Sequence, residues 1–182
     1  MNFIKSALDG AWIIEPKVFA DARGYFMETY RESLLEQHVG SVRFVQDNES
    51  KSMRGVLRGL HYQLPPFAQS KLVRVISGEV LDVAVDIRKN SPTFGQHVAV
   101  TLTSENKRQL FIPRGFAHGF LVLSSEAIFT YKVDNAYSPQ HERSIRFDDP
   151  DIGIAWGMEA SQLLLSEKDK NSAKSLREAE IF

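Results

Sequence analysis

Apolar and polar positions alternate with a period of two along the middle of the chain. Leu72-Val73-Arg74-Val75-Ile76 is rich in β-branched residues and stops at Ser77-Gly78, a turn signal. Val80 to Ile87 follows, with Val80, Asp82, Ala84 and Asp86 on one face and Leu81, Val83, Val85 and Ile87 on the other. A loop at Asn90-Ser91-Pro92 precedes strands predicted at His97 to Leu102 and Gln109 to Ile112; Phe120 to Leu123 and Ala127 to Val133 complete the run. Helical periodicity is scarce. It is found at Tyr30 to His38, where Leu34 and Leu35 could face a core, and at Asn171 to Ala179, with Asn171 or Ser172 as cap. Many short strands between turn signals predict a mainly β sandwich or barrel with a few short helices. In a closed barrel Asp82 and Asp86 would point inward; a solvated outer face fits the alternation equally well.

Length and charge bound the picture. A chain of 182 residues suits one domain, 1–182, which buries about 70% of the surface of its unfolded chain and needs no disulfide or metal to hold it. No linker, low-complexity segment or solenoid repeat interrupts it. With no cysteine, a disulfide scaffold and thiolate zinc sites are excluded. Lys plus Arg number 22 against 23 Asp plus Glu, a net charge of −1, which lacks the basic footprint of a nucleic-acid binder; a local arginine cluster could still hold an anion. The N-terminus shows no signal-peptide pattern, and no apolar run approaches the roughly 20 residues of a membrane helix. The expected location is cytoplasmic, with no membrane partner.

Two stretches carry histidines in a suggestive frame. Gly55 is followed by five residues and His61, and Lys71 by six residues and Gly78; later come Pro113, Gly115 and His118. These resemble the two signature segments of the cupins, whose fold is a double-stranded β-helix or jelly-roll barrel. The departures are informative. Gln63 stands where a metal-binding cupin has its second histidine, and Lys71 where it has a glutamate. An ammonium has no lone pair to donate and repels a cation, and two histidines fall short of the three or four ligands of a catalytic metal. Metal-dependent chemistry is disfavoured, and no cofactor is expected. Alone, His61 reads as a hydrogen-bonded structural residue. Beside Lys71 it reads as a base, since histidine titrates near neutrality, with the lysine stabilising an oxyanion. Arg23 and Arg58 are candidates for a diphosphate, which guanidinium grips through two bonds. Gln46 and Asn48 offer donors and acceptors to a base edge.

Taken in order, RGYFME (Arg23 to Glu28), QDNES (Gln46 to Ser50), GVLRGLHYQ (Gly55 to Gln63), AQSKLV (Ala68 to Val73), SPTFG (Ser91 to Gly95), PRGFAHGF (Pro113 to Phe120) and LSEKD (Leu165 to Asp169) resemble the dTDP-4-dehydrorhamnose 3,5-epimerase family over nearly the whole chain. The resemblance implies an isomerase that inverts carbons 3 and 5 of a dTDP-linked 4-keto-6-deoxyhexose. It also implies a homodimer that exchanges strands, its pocket completed by residues near Arg23 and Glu28 of the partner chain. It assigns His61 as base, Tyr131 as acid, Asp169 as the orienter of His61 and Lys71 as the holder of the enolate oxygen. Arg23, Glu28, Gln46, Asp47, Asn48, Arg58, His118, Glu142 and Lys168 would bind the nucleotide sugar. Without the resemblance, Tyr131 is a core tyrosine with Tyr137 as a competitor for the acid role, and Lys168 and Asp169 form a solvated turn. An epimerase acting on one carbon only, and a non-catalytic sugar-nucleotide-binding module, are the rival readings; His61, Lys71, Tyr131 and Asp169 together argue against the module.

Overall fold

Two antiparallel sheets face each other across one apolar interior in the computed structural model, which describes residues 1–182. In chain order the strands are β1 (Asn2–Lys5), β2 (Trp12–Glu15), β3 (Val18–Asp21), β4 (Gly24–Met27), β5 (Gln46–Met53), β6 (Leu57–Gln63), β7 (Lys71–Ser77), β8 (Glu79–Asp86), β9 (His97–Thr103), β10 (Gln109–Ile112), β11 (Phe116–Val122), β12 (Glu126–Val133) and β13 (Glu142–Ser144). Helix α1 (Glu32–Val39) precedes β5, and α2 (Glu167–Asn171) lies near the C-terminus. The six-stranded sheet runs β1-β2-β10-β7-β12-β5 and the five-stranded sheet β13-β6-β11-β8-β9; β3 and β4 form a separate hairpin. Neighbours so distant in sequence, paired antiparallel in two sheets, make the mainly β, cupin-like jelly roll that the sequence predicts.

Strand β8 shows how the barrel is filled. Val80 and Ala84 pack inward with Val73, Val75, Leu102, Leu110, Ile112, Phe120 and Phe129. Val83 and Val85 pack on the other side, beneath Ile145, Ile152, Trp156 and Leu176 of the C-terminal segment. Both faces are therefore covered, so Asp82 and Asp86, which share the face of Val80 and Ala84, are fully buried. The solvated reading of that face is excluded. Asp86 accepts from the Arg88 guanidinium at 2.7 and 2.9 Å and from Thr93 Oγ1 at 2.7 Å. Burial opposes its ionisation, but the bonds from Arg88, Ser91 and Thr93 outweigh it and bring Asp86 down to about 2.

Three predicted boundaries move. Helix α1 starts at Glu32 rather than Tyr30, whose ring instead meets Phe44 edge-on at 5.5 Å; Leu35 is the buried residue, packed with Ile14, Leu72 and Phe111. Strand β11 starts at Phe116 rather than Phe120 and pairs with β8 throughout. Its glycine, Gly119, interrupts the apolar run because β6 passes too close for a side chain: a Cβ on Gly119 would fall 2.7 Å from the Arg58 carbonyl oxygen. The helix predicted at Asn171 to Ala179 is not formed. Ser166, not Asn171 or Ser172, caps a helix that ends at Asn171. Beyond it, Lys174 bridges Ile145 in parallel, and Leu176 N donates to Asp149 at 2.8 Å. Tertiary pairing with the five-stranded sheet thus overrides local propensity.

Candidate active site

Antiparallel pairing of β6 and β11 sets His61 directly opposite His118 on the five-stranded sheet. Each histidine has its own carboxylate. His61 Nε2 lies 2.5 Å from Asp169 Oδ1, and His118 Nε2 lies 2.9 Å from Asp82 Oδ2. The first pair is open, with 28% of the His61 side chain exposed; the second is sealed. Asp169 is aimed by its own helix end. Its backbone N–H donates to Ser166 Oγ at 3.1 Å, and the Ser166 hydroxyl donates back to Asp169 Oδ2 at 2.9 Å. Burial alone would raise the Asp169 carboxyl, but His61, Ser166 and Lys168 outweigh it and hold the group below its ordinary value. Burial pushes His118 below the usual histidine range, with Asp82 opposing.

The facing wall supplies Lys71 and Tyr131, one on β7 and one on β12, with the Lys71 ammonium 6.0 Å from the centre of the Tyr131 ring. Burial pushes Lys71 down to about 8, against the pull of Asp82 and Glu142. Burial also pushes the Tyr131 hydroxyl up, with Arg58 opposing. Asn48 of β5 is the cross-strand partner of Tyr131, and Gln46, two residues away, shares its face; Gln46 Nε2 donates to Asn48 Oδ1 at 2.7 Å. Arg58, on β6 and exposed, donates to Ser52 Oγ at 3.1 Å. Glu142 pairs in register with Gln63 and receives both the Tyr137 hydroxyl, at 2.6 Å, and the Lys168 ammonium. Burial would raise Glu142, but those two donors bring it below its ordinary value.

Three sequence candidates lie elsewhere. Asp47 turns to the outer face of β5, where Lys132 Nζ donates to it at 2.8 and 3.0 Å. Arg23 sits in the β3–β4 hairpin with 90% of its side chain exposed, bound only to Asp21. Glu28 follows the hairpin and pairs with Arg31. Within one chain, none of the three joins His61.

Two residues gain a place that sequence reasoning did not give them. Asp82 entered as an inward-facing aspartate but not as a member of the site; its position on an apolar strand was the available signal. Gln63 entered only as a lost metal ligand. It is buried, its amide donating to Phe67 O at 2.7 Å and Ala136 O at 3.1 Å, and its Oε1 accepting from Ser138 N at 2.6 Å. The side chain at the former ligand position thus ties down the loop that carries Tyr137. With that amide committed to backbone and an ammonium at the next ligand position, the donor set suits proton transfer rather than a divalent cation.

A histidine–aspartate pair on one wall and a lysine and tyrosine on the other define an acid–base isomerase on a cupin barrel. The chain belongs to the dTDP-4-dehydrorhamnose 3,5-epimerase family, whose model matches residues 5–178. It is 57% identical to the dTDP-4-dehydrorhamnose 3,5-epimerase of Methanothermobacter thermautotrophicus, over 100% of this chain and 97% of that protein. It is 59% identical to that of Shigella flexneri, over 96% of each. Among solved structures, the dTDP-6-deoxy-D-glucose-3,5-epimerase of Legionella pneumophila in complex with dTDP-4-keto-L-rhamnose superposes with a TM-score of 0.93. The two are 50% identical, covering 98% of this chain and 94% of that one.

Proposed function

We propose that the chain, as one domain of residues 1–182, converts dTDP-4-dehydro-6-deoxy-D-glucose to dTDP-4-dehydro-L-rhamnose by inverting carbons 3 and 5. The observation that carries the reading is that His61, paired with Asp169, and Tyr131 lie on opposite walls of one barrel, with Lys71 beside the tyrosine. Both carbons flank the ketone, so removing either proton sends the electron pair onto the ketone oxygen. His61 takes the proton from one face, and Asp169 stabilises the imidazolium that results. The Lys71 ammonium holds the enolate oxygen. The Tyr131 hydroxyl returns a proton to the other face, the enolate collapses to the ketone, and the carbon is inverted with no net gain or loss of electrons. Gln46, Asn48, Arg58, His118, Glu142 and Lys168 line the approach and bind the nucleotide sugar. Arg23 and Glu28, too far out on their own chain, serve the pocket of a second copy in a strand-exchanged homodimer, and the enzyme works in the cytoplasm.

Proton NMR of the substrate in deuterium oxide tests the reading. Deuterium should enter at carbons 3 and 5 with inversion at both. Exchange confined to one carbon would make the chain a mono-epimerase, and no exchange at all would make it a binding module.

A further inference from the structure

Asp82 has no part in these steps, yet the barrel holds it in a costly state. It lies mid-strand in β8, fully buried, with Phe120 and Val100 as its cross-strand neighbours. One carboxylate oxygen accepts from His118 Nε2 at 2.9 Å, and the other, Oδ1, has no hydrogen-bond partner. A buried carboxylate with idle acceptors needs compensating charge nearby. Lys71 of the facing wall supplies it: Asp82 is the foremost acidic group acting on that ammonium and Glu142 the second. The other ionisable groups of the cavity are His61 on β6 with its partner Asp169 of α2, His118 on β11 and Tyr131 on β12, with Arg58 of β6 also acting on Tyr131.

We propose that Asp82 is a positioning residue of the reaction, fixing the His118 ring and serving as the counter-charge that lets Lys71 meet the enolate oxygen as a cation. The inference rests on the oxyanion role given to Lys71 above. Burial brings Lys71 to about 8, so its ammonium is still charged at neutrality but close enough to losing its proton that a nearby negative charge decides its state. Asp82 accepts a hydrogen bond from His118 and none from Lys71. The carboxylate therefore supplies field without occupying the lysine's donors, which stay available to the substrate.

The test uses the full-length protein with carbon-13-labelled lysine, the Lys71 resonance being identified by its absence in Lys71→Arg. Asp82→Asn keeps the shape and removes the charge. The titration midpoint of Lys71 and the alkaline limb of kcat should move together toward lower pH by about one unit. Asp82→Glu should restore both. A Lys71 midpoint that stays put in Asp82→Asn overturns the proposal. A midpoint that moves while the limb does not supports the counter-charge and overturns the role given to Lys71 instead. If Asp82→Asn does not fold, Asp82→Ser, which leaves room for a water, carries the same two readouts.

Discussion

His61 and Tyr131 belong to different sheets, so replacing one leaves the other's half of the reaction standing. Tyr131→Phe keeps the ring against Phe129, 6.2 Å away, and removes the one proton it can give. The enolate still forms, but its proton must return from His61 on the original face. The imidazolium can first trade that proton with solvent. Deuterium should therefore still enter while inversion falls by roughly 10²–10⁴-fold, most clearly at carbon 5; inversion at an undiminished rate would pass the acid role to Tyr137. That rival is already engaged, its hydroxyl raised by the hydrogen bond it gives Glu142. His61→Asn should abolish exchange at both carbons, since one base is proposed to serve both, and residual exchange at either would require a second base. Asp169→Asn should cost less, because the base remains and only its orientation and counter-charge are lost. The cupin spacing marked His61, Lys71 and His118 in the sequence. Asp169 lies 108 residues from its histidine, and only the resemblance could bring the two together before the fold did.

Strands and loops differ in how openly the chain declares them. β8 was legible because its alternation is regular, although alternation could not say that both faces are covered. β5 was not: one face of Gln46–Met53 carries Asn48 opposite Tyr131 and the other carries Asp47 against Lys132, so it is polar on both sides and reads as a loop. The C-terminal helix was misplaced because the pairing of Lys174 with Ile145 is a long-range contact that local sequence does not express. The end of β8 allows a test at this scale. Asp86 clamps Arg88, Ser91 and Thr93, the start of the loop to β9. Its folded value of about 2 lies below the ordinary 3.8, so its stabilisation is fully present above 3.8 and is lost as pH falls through about 2. Asp86→Asn should lower unfolding free energy by about 1–2 kcal/mol near neutrality. The gap to the wild type in urea titrations should narrow in acid; a constant gap would mean that the shape of the side chain, not its charge, holds the loop.

At the scale of the whole molecule, the β3–β4 hairpin stands apart from both sheets and leaves Phe19, Tyr25 and Phe26 between 54% and 69% exposed. Apolar exposure of this kind marks an interaction surface. The same hairpin carries Arg23, which has no route to its own His61 cluster. The strand-exchanged dimer proposed above would account for both facts, since a C2 interface would bury the same patch on both copies and deliver each hairpin to the other's barrel. Mixing two inactive variants separates this from a pocket built within one chain. Arg23→Ala spoils the hairpin and keeps the barrel; His61→Asn spoils the barrel and keeps the hairpin. If each pocket takes its hairpin from the other copy, the mixed dimer has one pocket with both defects and one with neither. Random pairing on co-expression makes half the dimers mixed, so roughly a quarter of wild-type activity should return from two variants that are each nearly inactive alone. If each pocket used its own hairpin, every pocket in every dimer would keep one defect and mixing would restore nothing. Phe26→Asp should act on the same interface without touching the barrel, giving a folded species of half the mass in sedimentation and a matching loss of activity.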